Sequence, residues 1–589
     1  MIKTLTSKIN NLIASNQTLL LVFFSSMFIL ITFAGTRLFF SDEGVILNQF
    51  YNLMNGSLAL KFAKINVTNG VFIAVGNSLY GKFSYSLLIL SLPVYYVLKS
   101  IDSVYGAHLF LLQLWALSGG FIAYLIAKNR KDAAISGILT YFVLIAVNLY
   151  SFKPIYFPKW GEVLSIEFTN IIITSFIILL VYLLFKSLFN NKIAIFASFF
   201  VLLATPVSFY ALTLKHHNLA IFLTLLAFLL FHRYSEKKDN RFMYAAYLSA
   251  GLCVWTRVLD GAVLLVSLLV MDLIIFRRSA KYIVTISLII LISLIPFFSF
   301  NQLILGDPFK VIEVTPLAST PMAMTNANEF ISLDESPAGA QQLALMDRLG
   351  YTWNPDISPN WLRVLADVLY LKTGNTFGIL LISPFLVLAV IFVIERARNK
   401  VSFNTMDKIF GLYFVLLLGA YSLLYILFNI NYLISIITDT PVVLEYRYLL
   451  AGYIVLLYFA LRIDKIRDLI EIKLKKIAGY CVISVPLMLV AFKEVSPAPF
   501  LDSYYYASLI TSAVLLISAL AYLLSADNKR FNALETWIIS IIALSLAEAS
   551  LLLLFYYWVA TMTYISPSQN YTILPALENL LKWMYQVVL

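Results

Sequence analysis

The residues of this chain that are equipped for acid–base or ionic chemistry fall at the ends of its apolar runs. Asp42 and Glu43, in Ser41-Asp42-Glu43-Gly44, follow the apolar run Thr18 to Ala34. Lys215, His216 and His217 separate a run ending near Leu212 from one beginning near Asn218. Arg257 and Asp260 share the short turn Trp255-Thr256-Arg257-Val258-Leu259-Asp260, and Glu445 and Arg447 open Glu445-Tyr446-Arg447-Tyr448-Leu449-Leu450. A carboxylate facing fixed cations at a lipid–water boundary suits transfer from a lipid phosphate. The carboxylate takes a proton from an acceptor hydroxyl, and the cations stabilise the departing phosphate.

Each group also has a plain structural alternative. Ser41 or Asp42 can cap the helix that follows. Arg257 and Asp260, three residues apart, can pair with each other. Arg447 can reach up to lipid headgroups. His216 and His217 can be satisfied interfacial residues, and adjacent histidines on a helix do not aim at one metal. Convergence of the groups on one face is what favours chemistry over these alternatives.

Convergence depends on the spans. The chain has 589 residues, 61% hydrophobic and 12% charged, with a mean hydropathy of +0.87. Soluble domains carry about 25% charged residues, so this is an all-α polytopic membrane protein. Cys253 and Cys481 both lie in apolar runs, which leaves no disulfide framework and no cysteine metal cluster. The formal charge of +11 is read as loop charge that sets orientation, not as a nucleic-acid surface. The first apolar run is long and leads to no cleavage site, so it reads as an uncleaved span.

Spans of about 20 residues are read at 18–34, 105–127, 132–150, 168–187, 193–212, 217–234, 242–257, 259–276, 281–300, 374–395, 409–431, 445–462, 477–493, 503–524 and 536–560. The segment Ser84 to Leu98 is short and contains Pro93. If it does not cross, the clusters Lys128-Arg130-Lys131, Arg233-Lys237-Lys238-Arg241, Arg277-Arg278-Lys281, Arg396-Arg398-Lys400 and Arg462 to Lys476 all share one side with Lys3 and Lys8. The positive-inside rule makes that side cytoplasmic. Ser84–Leu98 is therefore expected to lie on or dip into the outer interface. Two long outer loops follow, at about 35–104 and 301–373, the second carrying Tyr351, Trp353 and Trp361. Loops of that length are commonly functional. Residues 561–589 form an outer tail whose stretch Leu574–Leu589 is amphipathic and is expected to lie along the membrane.

The chain has no Walker glycine loop, no HExxH and no GxSxG elbow, and its two halves do not mirror one another. An ATP-driven pump is disfavoured. Polar residues concentrate at outer ends of spans, Glu548 being the clear mid-span case, which suits chemistry at the outer leaflet better than a route across it.

The motifs resemble the GT-C superfamily of integral-membrane glycosyltransferases, most closely its branch similar to protein O-mannosyltransferases and the bacterial aminoarabinose transferase, with archaeal members. They are Ser41-Asp42-Glu43-Gly44 after the first span; Thr205-Pro206-Val207-Ser208-Phe209-Tyr210 leading to Lys215-His216-His217-Asn218; Trp255-Thr256-Arg257; Asn301 with Gly306-Asp307-Pro308-Phe309; and Arg447-Tyr448-Leu449-Leu450. The resemblance runs from the first span to about residue 462. It implies a GT-C-like catalytic module at 1–462, with additional helices and a tail at 463–589, and about 13 to 15 transmembrane helices in all. It departs where Ala451 replaces a proline, where Phe83-Ser84-Tyr85-Ser86 replaces Pro-Pro, and where 105–150 adds a hairpin of spans.

The resemblance implies a polyprenyl- or dolichyl-phosphate sugar as donor and a lipid, glycan or protein as acceptor, with inversion at the anomeric carbon. Asp42 is then the general base, and Glu43 a positioning residue or, with Asp42, a ligand for Mg2+ or Mn2+ in a cation-dependent member. Arg447, Arg257 and Lys215 are the phosphate contacts, with His216 and His217 beside them and Lys61 and Lys82 as further candidates. An arginine fork suits phosphate oxygens better than a lone ammonium. Two other classes compete: a flippase for a lipid-linked glycan, and a polymerase or ligase using lipid diphosphates.

Overall fold

A computed structural model describes residues 16–38, 41–65, 67, 72–127, 130–276, 280–312, 315, 324–331, 368–369, 372–373, 376–399, 402–427, 449–491, 497–524, 532–563 and 572–580. In chain order the first elements are α1 (Gln17–Thr32), α2 (Ser41–Met54), β1 (Phe62–Ile65), β2 (Phe72–Val75), β3 (Ser78–Gly81), α3 (Ser86–Asp102), α4 (Ala107–Ile126), α5 (Arg130–Leu149) and α6 (Phe157–Leu188). Then come α7 (Asn191–Ala204), the short α8 (Val207–Tyr210), α9 (His217–Lys237), α10 (Asn240–Thr256) and α11 (Val258–Val270), which ends in a π turn at Met271–Ile275. They are followed by α12 (Ala280–Ser293), α13 (Ile295–Leu305), β4 (Thr325–Ile331), β5 (Lys372–Thr373), β6 (Thr376–Phe377), α14 (Ile379–Ile382), a 3-10 turn at Pro384–Val387, α15 (Leu388–Asn399) and α16 (Thr405–Leu427). The last are α17 (Leu450–Leu461), α18 (Asp464–Ala491), α19 (Pro497–Leu524) and α20 (Asn532–Thr563).

The polytopic helical class is what the structure shows. Among the described residues eight helices are long and apolar enough to cross a membrane, and the pair α12–α13, bent by 41°, makes a ninth. Three shorter apolar helices, α1, α7 and α17, join them. Some apolar runs read as single spans are divided. The run at 374–395 is split into α14, a 3-10 turn and α15, because Pro384 has no N–H to continue α14.

The extra hairpin at 105–150 is α4 and α5. Their crossing is close because a Cβ on Gly120 would lie 2.7 Å from the Gly137 carbonyl oxygen, and one on Gly137 2.9 Å from that of Gly120. Small residues at such crossings let helix backbones approach in lipid. Ile135, Ile138, Leu139, Phe142 and Val143 leave the outer face of α5 apolar and exposed, as a lipid-facing helix requires.

The first long loop, at about 35–104, is a built layer around α2. Asn48 and Asn52, one turn apart, hydrogen-bond the backbone of β1. Asn48 Oδ1 accepts from Lys64 N (2.8 Å) and Ile65 N (3.1 Å), and Asn52 Oδ1 from Lys61 N (2.9 Å) and Phe62 N (3.0 Å). Their amide nitrogens donate to Ile65 O (3.0 Å) and Phe62 O (2.7 Å). A helix face thus substitutes for a neighbouring strand. The other edge of β1 pairs in parallel with β4, Phe62 opposite Thr325 and Ala63 opposite Asn326, which ties the first long loop to the second. β2 and β3 form a separate hairpin. Strand structure here is a finding that the apolar pattern does not contain. Most of the second loop, including Tyr351, Trp353 and Trp361, lies outside the described residues.

The segment Ser84–Leu98 forms α3, which is not among the candidate spans; its face of Leu87, Leu88, Ser91 and Leu98 is buried. At the start of the tail, Thr572, Ile573 and Leu574 are buried, and Ile573 N donates to Ala34 O (3.0 Å) beside a Gly35–Thr572 bridge. His108 holds the same segment: its Nδ1 accepts from Ile155 N (3.1 Å), so its Nε2 donates to Ile573 O (2.8 Å). Residues 581–589 lie outside the described part.

Candidate active site

Asp42 and Glu43 occupy the first turn of α2, where the positive end of the helix dipole favours carboxylates. Gly44 follows because a Cβ there would meet Val67 Cγ2 at 2.6 Å and Ile65 Cγ2 at 3.3 Å. Only glycine lets this turn rest on the strand segment.

The two carboxylates part company. Asp42 Oδ2 forms an ion pair with Lys215 Nζ, whose side chain is buried while that of Asp42 keeps 18% of its surface. Glu43 is fully buried and accepts the Leu214 N–H at 2.8 Å. One acid therefore holds the backbone before Lys215, and its neighbour holds the ammonium.

The segment 205–216 is fixed from α6 as well. Asn170 Nδ2 donates to Thr213 O (2.7 Å) and Lys215 O (2.9 Å). Asn218 Nδ2 donates to Thr174 Oγ1 (2.7 Å) and Val207 O (3.0 Å). Lys215 Nζ lies over the Phe83 ring, 5.1 Å from its centroid. His216 faces the same ring at 6.3 Å, while His217 meets Tyr210 edge-on at 5.3 Å. The adjacent histidines thus serve different neighbours, as helical spacing predicts.

Arg257 joins this neighbourhood through the backbone. Ser84 Oγ donates to Trp255 O (2.7 Å), and Tyr85 and Trp255 both pack on Phe300, at 5.4 and 5.6 Å. These contacts set Phe83 beside the α10–α11 turn. That turn is tight because a Cβ on Gly261 would lie 2.1 Å from Val254 N. Within it Arg257 Nε pairs with Asp260 Oδ2 (3.0 Å) and Arg257 Nη2 donates to Tyr421 OH (3.0 Å), which itself donates to Asp260 Oδ2 (2.9 Å). The i,i+3 pairing alternative is realised.

Lys82 Nζ donates to Thr315 O (2.9 Å) of the second loop. Lys61 is exposed at the start of β1, and among the described residues no contact joins it to Asp42. Arg447 and Glu445 lie outside the described residues, with the buried Leu449 and Leu450 just after them. Asn301 closes the Gly306-Asp307-Pro308-Phe309 turn by donating to Pro308 O (3.3 Å), and Gly306 takes φ 70°, so this motif shapes a turn.

Two buried clusters were missed by sequence reasoning. Both oxygens of Glu167 on α6 accept the Gly35 N–H (3.2 and 3.1 Å). Arg37 beside it donates to Phe33 O (2.7 Å) and Tyr557 O (3.3 Å). Burial pushes the Arg37 guanidinium below its usual range, and the charges of Glu167, Glu578 and Tyr557 oppose that shift. The second cluster is Lys64 with Glu162, 3.4 Å apart and both sealed from solvent; Lys64 Nζ also donates to Pro158 O (2.9 Å). The missed signal was two glutamates inside one apolar run, since an ionisable residue in a span is functional or paired by default.

No group of three His, Cys, Asp or Glu side chains converges among the described residues. With Asp42 on Lys215 and Glu43 on the Leu214 amide, the adjacent carboxylates do not form a chelate for Mg2+ or Mn2+.

Residues 161–300, which contain most of α6, the 205–216 segment and the α10–α11 turn, match the family model described as dolichyl-phosphate-mannose-protein mannosyltransferase. No curated protein sequence matches the chain significantly. Among solved structures it is similar to ArnT from Cupriavidus metallidurans bound to undecaprenyl phosphate, with 13% identity, TM-score 0.41, and 91% of this chain and 76% of that one covered. The apo form of the same protein gives 14% identity and TM-score 0.39, covering 96% and 79%.

Proposed function

We propose that this chain is a GT-C glycosyltransferase that transfers a sugar from a polyprenyl- or dolichyl-phosphate donor to an acceptor at the extracytoplasmic face, with Asp42 as general base and inversion at the anomeric carbon. The observation that carries this reading is the Asp42–Lys215 pair, in which segments far apart in sequence place a partly open carboxylate against a buried ammonium. The charge of the loops, which puts the basic clusters on the opposite side, supports the orientation.

In the ground state Lys215 keeps Asp42 ionised. The donor phosphate, entering beside Phe83 and Lys215, competes for the ammonium and loosens its hold on Asp42. The acceptor oxygen then attacks the anomeric carbon and its proton passes to Asp42. The bond from that carbon to the phosphate oxygen breaks, and the electron pair leaves on the lipid phosphate, where Lys215 stabilises it. Single displacement gives inversion. Glu43 is a positioning residue that fixes Lys215 through Leu214. Arg447 and Arg257 are further phosphate contacts in this reading, with Arg257 held ready by Asp260 and Tyr421.

The test is single-turnover release of lipid phosphate from a labelled polyprenyl-phosphate sugar by the purified protein, with a membrane extract added as the source of acceptor hydroxyls. Asp42→Asn is expected to slow it about 100-fold or more. Wild-type release by that variant overturns the assignment of the base.

A further inference from the structure

Away from Asp42, helices α7, α18 and α20 enclose a groove of about 380 Å³ lined by Phe196, Phe199, Phe200, Ile477, Cys481 and Leu546. Its lining hydroxyl, Ser550, donates to Leu203 O (2.8 Å), so nothing on the wall calls for a polar ligand. A slot of this kind between membrane helices suits an acyl chain.

The groove has a charged end. Lys192 precedes Ile195, Phe196 and Phe199 by three, four and seven positions and so shares their face of α7. Lys473 stands four positions before Ile477 and eight before Cys481 on α18, with exposed Lys475 and Lys476 next to it. Asn190, the N-cap of α7, donates through Nδ2 to Glu471 Oε2 (2.8 Å) in the amino-terminal part of α18, which joins the start of α7 to the basic stretch of α18 that holds Lys473, Lys475 and Lys476. This end lies roughly 20 Å along α7 from the 205–216 segment.

We propose that the groove binds one anionic phospholipid, with an acyl chain between α7, α18 and α20 and the phosphate against Lys192 and Lys473. Charge complementarity selects this occupant, because basic clusters at a membrane surface favour anionic headgroups. The site is independent of the glycosyl-transfer reading and its proton chemistry.

The experiment titrates the full-length, delipidated protein in detergent with phosphatidylglycerol or phosphatidylcholine, counting bound lipid by native mass spectrometry. One phosphatidylglycerol is expected to bind in preference to phosphatidylcholine. Replacing each lysine in K192Q and K473Q should cut that preference about fivefold. Ala478→Trp should lower occupancy by both lipids. The unmutated protein supplies a second readout: Cys481 lines the groove while Cys253 is buried. Saturating phosphatidylglycerol should slow maleimide labelling of Cys481. An unchanged preference in K192Q/K473Q, or unchanged labelling of Cys481, identifies annular lipid only and overturns the proposal.

Discussion

Two lysine–carboxylate pairs sit at the same end of the helix assembly and differ in access. Lys215–Asp42 joins α2 to the segment before α9, and its carboxylate keeps 18% of its side-chain surface. Lys64–Glu162 joins β1 to α6, and its two side chains keep 1% and 4%. The chemistry of the partners is the same. A base must exchange its proton with something that arrives from outside, so only the open pair can serve catalysis. The sealed pair is architecture: it fastens the strand layer to the long α6.

That contrast can be broken from either side. The largest expected effect is on stability, in the sealed pair. Lys64→Met leaves the Glu162 charge buried and unpaired and should destabilise the fold by about 3–5 kcal/mol, read by thermal unfolding. Adding Glu162→Leu should recover most of that loss. Next is Asp42→Asn, whose 100-fold slower turnover corresponds to about 2.7 kcal/mol of barrier, with a smaller loss of thermal stability than Lys64→Met, because the new amide oxygen can still accept from the buried Lys215 ammonium. Pairing it with Lys215→Met should restore no activity, unlike the double change at the sealed pair. If Asp42→Asn/Lys215→Met turned over normally, the contrast would fail.

Asn52→Leu comes next. It strands the Lys61 and Phe62 amides, at about 1–3 kcal/mol for an unsatisfied group. Urea unfolding should show it, together with greater amide exchange in β1. The smallest effect is Gly44→Ala, where the new methyl presses on Val67 and overpacking costs about 1–3 kcal/mol at most sites, less where the neighbour yields. Because that methyl sits two residues from Asp42, turnover should fall more than stability does.

The open pair was legible in the sequence because both members stand at span ends, and counting basic loop residues puts such ends on one face. Arg257 with Asp260 was legible too, as an i,i+3 pair. The sealed pair was not. Phe62–Ile65 is four residues with no alternation to announce a strand, and its partners are helix amides and a strand from the far second loop. Nothing local in sequence encodes those contacts. Glu43 shows a subtler limit: adjacency to Asp42 suggested shared chemistry, whereas helix geometry turns neighbouring side chains about 100° apart, and here sends them to different partners.

The docking of segment 572–580 on the exit of α1 also orders events in time. Gly35 and Ala34 acquire this backbone support only from residues translated more than five hundred positions later. The approach to Asp42 is therefore braced by a part of the chain that is translated after every helix from α1 to α20. Nascent chains halted before Thr572 should carry the Asp42–Lys215 and Arg257–Asp260 pairs and still lack this backbone support at Ala34 and Gly35, so that the proposed site would stay unfinished until synthesis ends.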